Sequence, residues 1–154
     1  MRLSDRKTNM NILIKRSIIA AIIVYIASFV FFGIVSLFGV NIMEEMTLGS
    51  YISMWIFNIL LFFLVSKWYF KQLPPTWKRG LWLGLMILGI SALLDGLFIL
   101  GTLAAGESIA QFVVLYSDWK FFVTLLEVLL LCTFFGWEFD ATMSKRTHEL
   151  KKDA

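Results

Sequence analysis

Apolar residues run in four long blocks separated by short polar stretches. Ser17 to Val40 carries no charge, Tyr51 to Phe70 holds one lysine (Lys67) near its end, and Leu81 to Gly101 holds one charge, Asp95. A fourth apolar pattern starts at Ile109 and continues to Phe139. About 20 mostly apolar residues cross the hydrocarbon core as a helix, so the first three blocks predict one span each. The fourth is too long for one simple span. Trp119 and Trp137 lie 18 residues apart, about 27 Å along a helix, and aromatic residues gather at the two edges of a membrane. They place the last span at residues 119–138, with Ser117 as its N-cap. Residues 107–116 then form a short amphipathic helix or a helical extension, with Ile109, Phe112, Val113 and Tyr116 on one face. One long tilted helix from Ser108 is the competing arrangement.

The expected fold is therefore an all-α integral membrane protein. It is a bundle of four transmembrane helices (17–40, 51–70, 81–101 and 119–138), with a short outer amphipathic helix before the last span. The chain forms a single membrane domain, 1–154, flanked by tails 1–16 and 139–154. Pro74-Pro75 ends the second span and forces a turn. The first apolar run is about twice the usual 7–15 residues of a signal-peptide core, and no small-x-small cleavage site follows it, so it is expected to stay.

Composition sharpens this picture by exclusion. Hydrophobic residues make up 59% of the chain and charged residues 16%, against roughly 45–50% and about 25% in soluble domains. That excludes a soluble globular enzyme, a disordered chain and a disulfide-stapled secreted domain. One cysteine, Cys132, and one histidine, His148, supply neither a thiol-exchange pair nor a metal-ligand set; no metal site and no cofactor are expected. The sequence contains no H-E-x-x-H, no G-x-S-x-G and no Walker A pattern, so an enzyme is disfavoured.

Charge sets the orientation. Thirteen of the 14 basic residues fall on one side of the spans: five precede the first, four (Lys67, Lys71, Lys78, Arg79) join the second and third, and four follow the last. Only Lys120 falls on the other side, with Glu44, Glu45, Glu107 and Asp118. The positive-inside rule puts both termini in the cytoplasm of a cell whose plasma (inner) membrane the chain crosses several times. The basic clusters meet anionic lipid headgroups, and none forms a domain suited to nucleic acid.

The charges that topology does not explain are Asp95 and Glu127. An ionisable group inside the membrane is costly, about 2.5–3.5 kcal/mol at mid-membrane, and needs a partner or a function. Asp95 lies six residues before Gly101 and Glu127 eight after Trp119, about 9 and 12 Å from the outer edge. Asn58 of the second span, and Gly33 and Ser36 of the first, fall in the same layer. Gly80, Gly84, Ser91, Asp95 and Thr102 share one side of the third helix, and Lys120, Thr124 and Glu127 follow i, i+4, i+7 on the fourth. A polar stripe in lipid faces the bundle interior or a water-filled cavity. Asp95, Glu127, Asn58, Lys120, Asp118, Ser91, Thr124 and Trp55 are thus the candidate residues for binding a ligand or ion.

Two functions fit this layer. In one, the chain binds or transports a cation, a proton or a polar small molecule through an outward-facing pocket. In the other, it is an accessory subunit or homo-oligomer whose carboxyls only fix helix register, Asp95 pairing with Lys120 or accepting from Ser91, Thr124 or Asn58. The second predicts a stoichiometric membrane partner or homodimer in mild detergent. Tyr51, Trp68, Tyr69, Trp77, Trp82, Trp119 and Trp137 are expected at the membrane interfaces. Met43, Met46 and the Phe-rich runs serve packing or lipid contact, and Cys132 is a buried thiol.

Overall fold

The computed structural model describes the backbone of residues 3–37 and 48–152, with side chains for 10–35, 37, 48–110 and 112–142. Val40, Met43, Glu44, Glu45 and Met46 lie outside the described residues, as do the side chains of Ser36, His148, Arg2, Arg6, Lys7 and the basic residues after position 142. Five helices follow one another: α1 (Leu3–Leu37), α2 (Leu48–Phe70), α3 (Trp77–Ala104), α4 (Ala110–Ser117) and α5 (Trp119–Lys152). Four of them contain a segment long and apolar enough to cross a membrane: Met10–Val35, Leu48–Phe70, Trp77–Ala104 and Trp119–Thr142. The protein is an all-α four-helix bundle, and α4 is a separate short helix rather than an extension of the last span.

The outer helices outrun their apolar cores. α1 begins 14 residues before Ser17, and α5 continues 14 residues beyond Glu138. Stopping a helix at the membrane edge would leave four carbonyl or four N–H groups without partners. Propagation into the flanking Lys-, Arg-, Met- and Leu-containing segments costs little once the helix exists.

The connections end their helices by identifiable devices. Thr76 caps α3, its hydroxyl accepting from Arg79 N at 3.3 Å, and Arg79 Nη1 donates to the Pro74 carbonyl at 2.6 Å. At the far end of α3, Gly106 has φ +77°, Gly106 N donates to Leu103 O and Glu107 N to Thr102 O, both at 3.0 Å. This is the Schellman arrangement, and the left-handed residue it requires is most often glycine.

Neighbouring helices pack as a ring in the order α1, α3, α5, α2 and back to α1. Contacts along each seam fix the directions. Tyr25 meets Asp95 and Phe29 meets Phe98, so α1 and α3 run parallel. Trp55 meets Thr124 and Asn58 meets Glu127, so α2 and α5 also run parallel. Arg16 reaches the carbonyls of Trp68 and Tyr69, so α1 and α2 are antiparallel. The start of α1, the end of α2, the start of α3 and the later part of α5 therefore share one end of the bundle. This end carries Lys15, Arg16, Lys67, Lys71, Lys78 and Arg79 and is called the basic end below.

One buried cluster fills the bundle, drawing on Ala20, Ala21 and Val24 of α1, Phe62, Val65 and Tyr69 of α2, Leu83 and Ile87 of α3, and Val128, Cys132 and Phe135 of α5. Small residues set the closest approach. A Cβ on Gly80 would run into the Cys132 carbonyl oxygen, and one on Gly136 would lie 2.6 Å from Thr76 O and 3.1 Å from Gly80 Cα. Small residues let helix backbones pack closely in membranes, and the Gly80-x-x-x-Gly84 stripe serves that purpose against α5 of the same chain. Ile22, Ile26, Val30, Ile56, Leu60, Leu93 and Leu97 point outward, as a lipid-facing surface requires.

Arg16 locks α1 to α2 at the basic end. Its Nη1 donates to Trp68 O at 2.9 Å and Tyr69 O at 3.0 Å, and its guanidinium lies 4.8 Å from the Trp68 ring centroid. A cation on the last carbonyls of a helix satisfies orphan acceptors and complements the helix dipole. Tyr69 and Tyr51, expected at the interfaces, are instead buried inside the bundle, whereas Trp68, Trp77, Trp82, Trp119 and Trp137 are exposed. Tyrosine carries enough apolar surface to pack inside when its ring, rather than its hydroxyl, decides the placement.

Candidate functional site

Polar side chains in the half of the bundle away from the basic end fall into two separate groups. The first lies along the α2/α5 seam. Because the two helices are parallel, residues at i, i+4 and i+7 on each meet their counterparts at matching heights. At the rim, Lys120 Nζ sits 5.0 Å from the Tyr51 ring centroid. One turn deeper, Trp55 Nε1 donates to Thr124 Oγ1 at 3.0 Å. A further turn down, Asn58 Nδ2 donates to Glu127 Oε2 at 2.9 Å. Asn58 is buried, and Trp55, Thr124 and Glu127 are half-buried.

Asp118 closes the top of this ladder. Its Oδ1 accepts from Lys120 N at 3.0 Å, and its Oδ2 accepts from Lys120 Nζ at 2.6 Å. Asp118, not Ser117, thus caps α5; Ser117 completes α4, its hydroxyl donating to Val113 O at 2.6 Å. The carboxylate of Asp118 holds its pKa below the usual value, chiefly because the Lys120 side chain and then the Lys120 backbone N–H donate to it. A lowered pKa keeps this cap and ion pair intact above the ordinary carboxylate range, and they are lost only as pH falls through that depressed value.

The second group gathers around Asp95, where α1, α3 and α4 meet. Tyr25 Oη donates to Asp95 Oδ1 and Tyr116 Oη to Asp95 Oδ2, each at 2.9 Å. Burial, together with the hydrogen bond to Asp95, pushes the Tyr116 phenol up to about 12, so it remains a donor across the physiological range. Edge-on ring contacts of Tyr116 with Phe121 and of Phe98 with Phe112 seat α4 against the bundle.

The structure thus joins Trp55 to Thr124, Asn58 to Glu127 and Lys120 to Asp118, and places all six on one seam. Asp95 stands apart: its donors are tyrosines, not Lys120, Ser91, Thr124 or Asn58. Ser91 makes no hydrogen bond among the described residues. Equal depth does not imply a shared face, because depth follows from residue count whereas direction follows from helix rotation. Tyr25 and Tyr116 were absent from the candidate set. Tyr25 carried a readable signal, since it lies within an uncharged span and a buried tyrosine hydroxyl usually finds a partner.

The chemistry of the two carboxyls differs accordingly. Both oxygens of Asp95 are engaged, by donors from two different helices. Glu127 has one oxygen held by an amide, and its Oε1 has no hydrogen-bond donor among the described residues. Among the same residues Lys120 pairs with Asp118, and no cation forms an ion pair with Asp95 or Glu127. No three of the described His, Cys, Asp and Glu residues come together as a metal-ligand group. No protein-family model, curated protein or solved structure matches the chain.

Proposed function

We propose that this chain is a small multi-pass protein of the plasma (inner) membrane that binds, and passes along the α2/α5 seam, a proton or a cation, with Glu127 as the exchanging group. One observation carries the reading. Glu127 sits within a transmembrane helix with one oxygen fixed by Asn58, and among the described residues the other has no donor and no lysine or arginine is paired with it. An ionisable group kept there without a counter-ion is expensive, and such groups mark ion and proton pathways. Asn58 positions the carboxyl, while Asp95, with both oxygens engaged, holds α1, α3 and α4 together around the site.

A proton-release measurement tests this. Adding Na⁺ or K⁺ to the purified chain in weakly buffered detergent, scanned across pH, should displace protons from Glu127. Glu127→Gln should abolish the release and Asp95→Asn should retain most of it. Release from Glu127→Gln equal to that of the unmodified chain would overturn the assignment.

The positive-inside distribution supports a cytoplasmic basic end and a seam that opens to the opposite side. Single cysteines introduced at Lys71 and at Glu107, in a Cys132→Ser background, should then differ in labelling by an impermeant maleimide on intact cells. Position 107 should label and position 71 should not; the reverse pattern would invert the topology.

A further inference from the structure

The rim of the α2/α5 seam already holds an ammonium group. Lys120 Nζ lies 5.0 Å from the Tyr51 ring centroid, 5.9 Å from that of Trp119 and 2.6 Å from Asp118 Oδ2. Aromatic faces joined to a carboxylate are the groups that recognise ammonium ions, because the ring quadrupole attracts a cation and the carboxylate neutralises it. The location of this lysine is electrostatically awkward. It is the second residue of α5, where the positive end of the helix dipole repels a cation. Asp118 offsets that repulsion while also capping the helix. The Tyr51 hydroxyl, 1% exposed with the rest of its residue, has no well-formed hydrogen bond among the described residues, and it lies beside the Asp118 carboxylate. This hydroxyl thus faces the same carboxylate that Lys120 engages. Below it, the Trp55 ring stands 6.1 Å from that of Tyr51 and leads toward Glu127.

We infer that Tyr51, Trp119 and Asp118 form a binding cage for small organic ammonium ions, that Lys120 fills this cage in the free chain, and that a ligand ammonium binds by displacing the lysine side chain. The inference rests on the reading of the seam as a cation path and narrows its cation to an organic ammonium. The same chemistry is offered by a soluble amine and by the ethanolamine headgroup of a lipid. Lys120 acts as a tethered competitor that sets the threshold for occupancy, and Tyr51 and Asp118 set the selectivity for ammonium over neutral molecules.

Calorimetry with propylammonium on the full-length chain in detergent tests the cage directly. Lys120→Met vacates it and should tighten binding by about tenfold or more, the scale of a desolvated cation–π contact with a carboxylate. Lys120→Gln should repeat the gain, and Lys120→Arg, which refills the cage, should not. Adding Asp118→Asn to Lys120→Met should remove the gain, and propanol should not bind. Short-chain phosphatidylethanolamine that competes more strongly than propylammonium identifies the headgroup as the source, whereas weaker competition identifies a soluble amine; both support the cage. Equal binding by the folded Lys120→Met, Lys120→Gln and unmodified chains, or equal binding of propanol, would overturn it. The two readings separate in the Lys120→Met, Glu127→Gln double variant. Tight ammonium binding without proton release sustains the cage, and its loss with proton release intact in Lys120→Met alone rejects the cage while leaving Glu127 its role.

Discussion

Gly80→Leu should unfold the bundle at markedly lower temperature than the unmodified chain, with a loss of about 3 kcal/mol, the upper end of overpacking costs. Even a Cβ at this position runs into the Cys132 carbonyl, and a carbonyl fixed in the α5 hydrogen-bond ladder cannot swing aside as a side-chain tip can. The two helices must separate, which opens the seam that buries Leu83, Ile87 and Cys132. Gly136→Leu strikes the same contact from the other side, against Thr76 O and Gly80 Cα, and the two substitutions should be strongly non-additive because either alone breaks the approach. Gly89→Leu is the control. Nothing lies within 4 Å of a Cβ at that exposed position, so its effect should stay within about 0.5 kcal/mol. Thermal melting in detergent decides the matter: equal stabilities for the Gly80 and Gly89 variants would show that α3 and α5 do not meet at their glycines.

The second large effect concerns Asp95. Tyr25→Phe and Tyr116→Phe each remove one of its two donors while keeping the ring. Leaving a part-buried acceptor without its donor costs about 1–3 kcal/mol, so the double variant should lose roughly 2–6 kcal/mol. The loss falls unevenly across the structure. Tyr25 ties α1 to α3, and its removal should lower the global melting temperature. Tyr116 ties the eight-residue α4 to α3, and its removal should first expose residues 105–118 to proteolysis. Asp95→Leu placed in the double-Phe background should recover most of the stability, since exchanging both sides of a polar pair for apolar groups is nearly neutral. Failure of that rescue would mean that the carboxyl has work beyond holding three helices.

The span count, and the break before the last span, were legible because uncharged runs of helical length and paired tryptophans report directly on membrane thickness. The cap of α5 was misplaced by one residue, since serine and aspartate both cap well and only the geometry of Lys120 selects Asp118. Helix rotation was legible in part. The Lys120, Thr124 and Glu127 stripe lies on one seam as its spacing required, and Asn58 and Trp55 meet it because α2 is parallel to α5. The partner of Asp95 was not legible. A count of residues gives its depth, but its direction depends on the order of helices around the ring, and no local pattern encodes that order. Tyr25 and Tyr116 are 91 positions apart and converge only once α1, α3 and α4 are assembled.

The ring order also has a bearing on how the chain is made. α5 supplies one wall of both the α3 seam and the α2 seam, and it follows the other three spans in the chain. Without it, Gly80 and Gly84 have no backbone to pack against, and Asn58 and Trp55 have no acceptors. Before α5 packs, Tyr25 and Asp95 can already meet, whereas Trp55 and Asn58 wait for Thr124 and Glu127, and the arrival of α5 supplies both acceptors together.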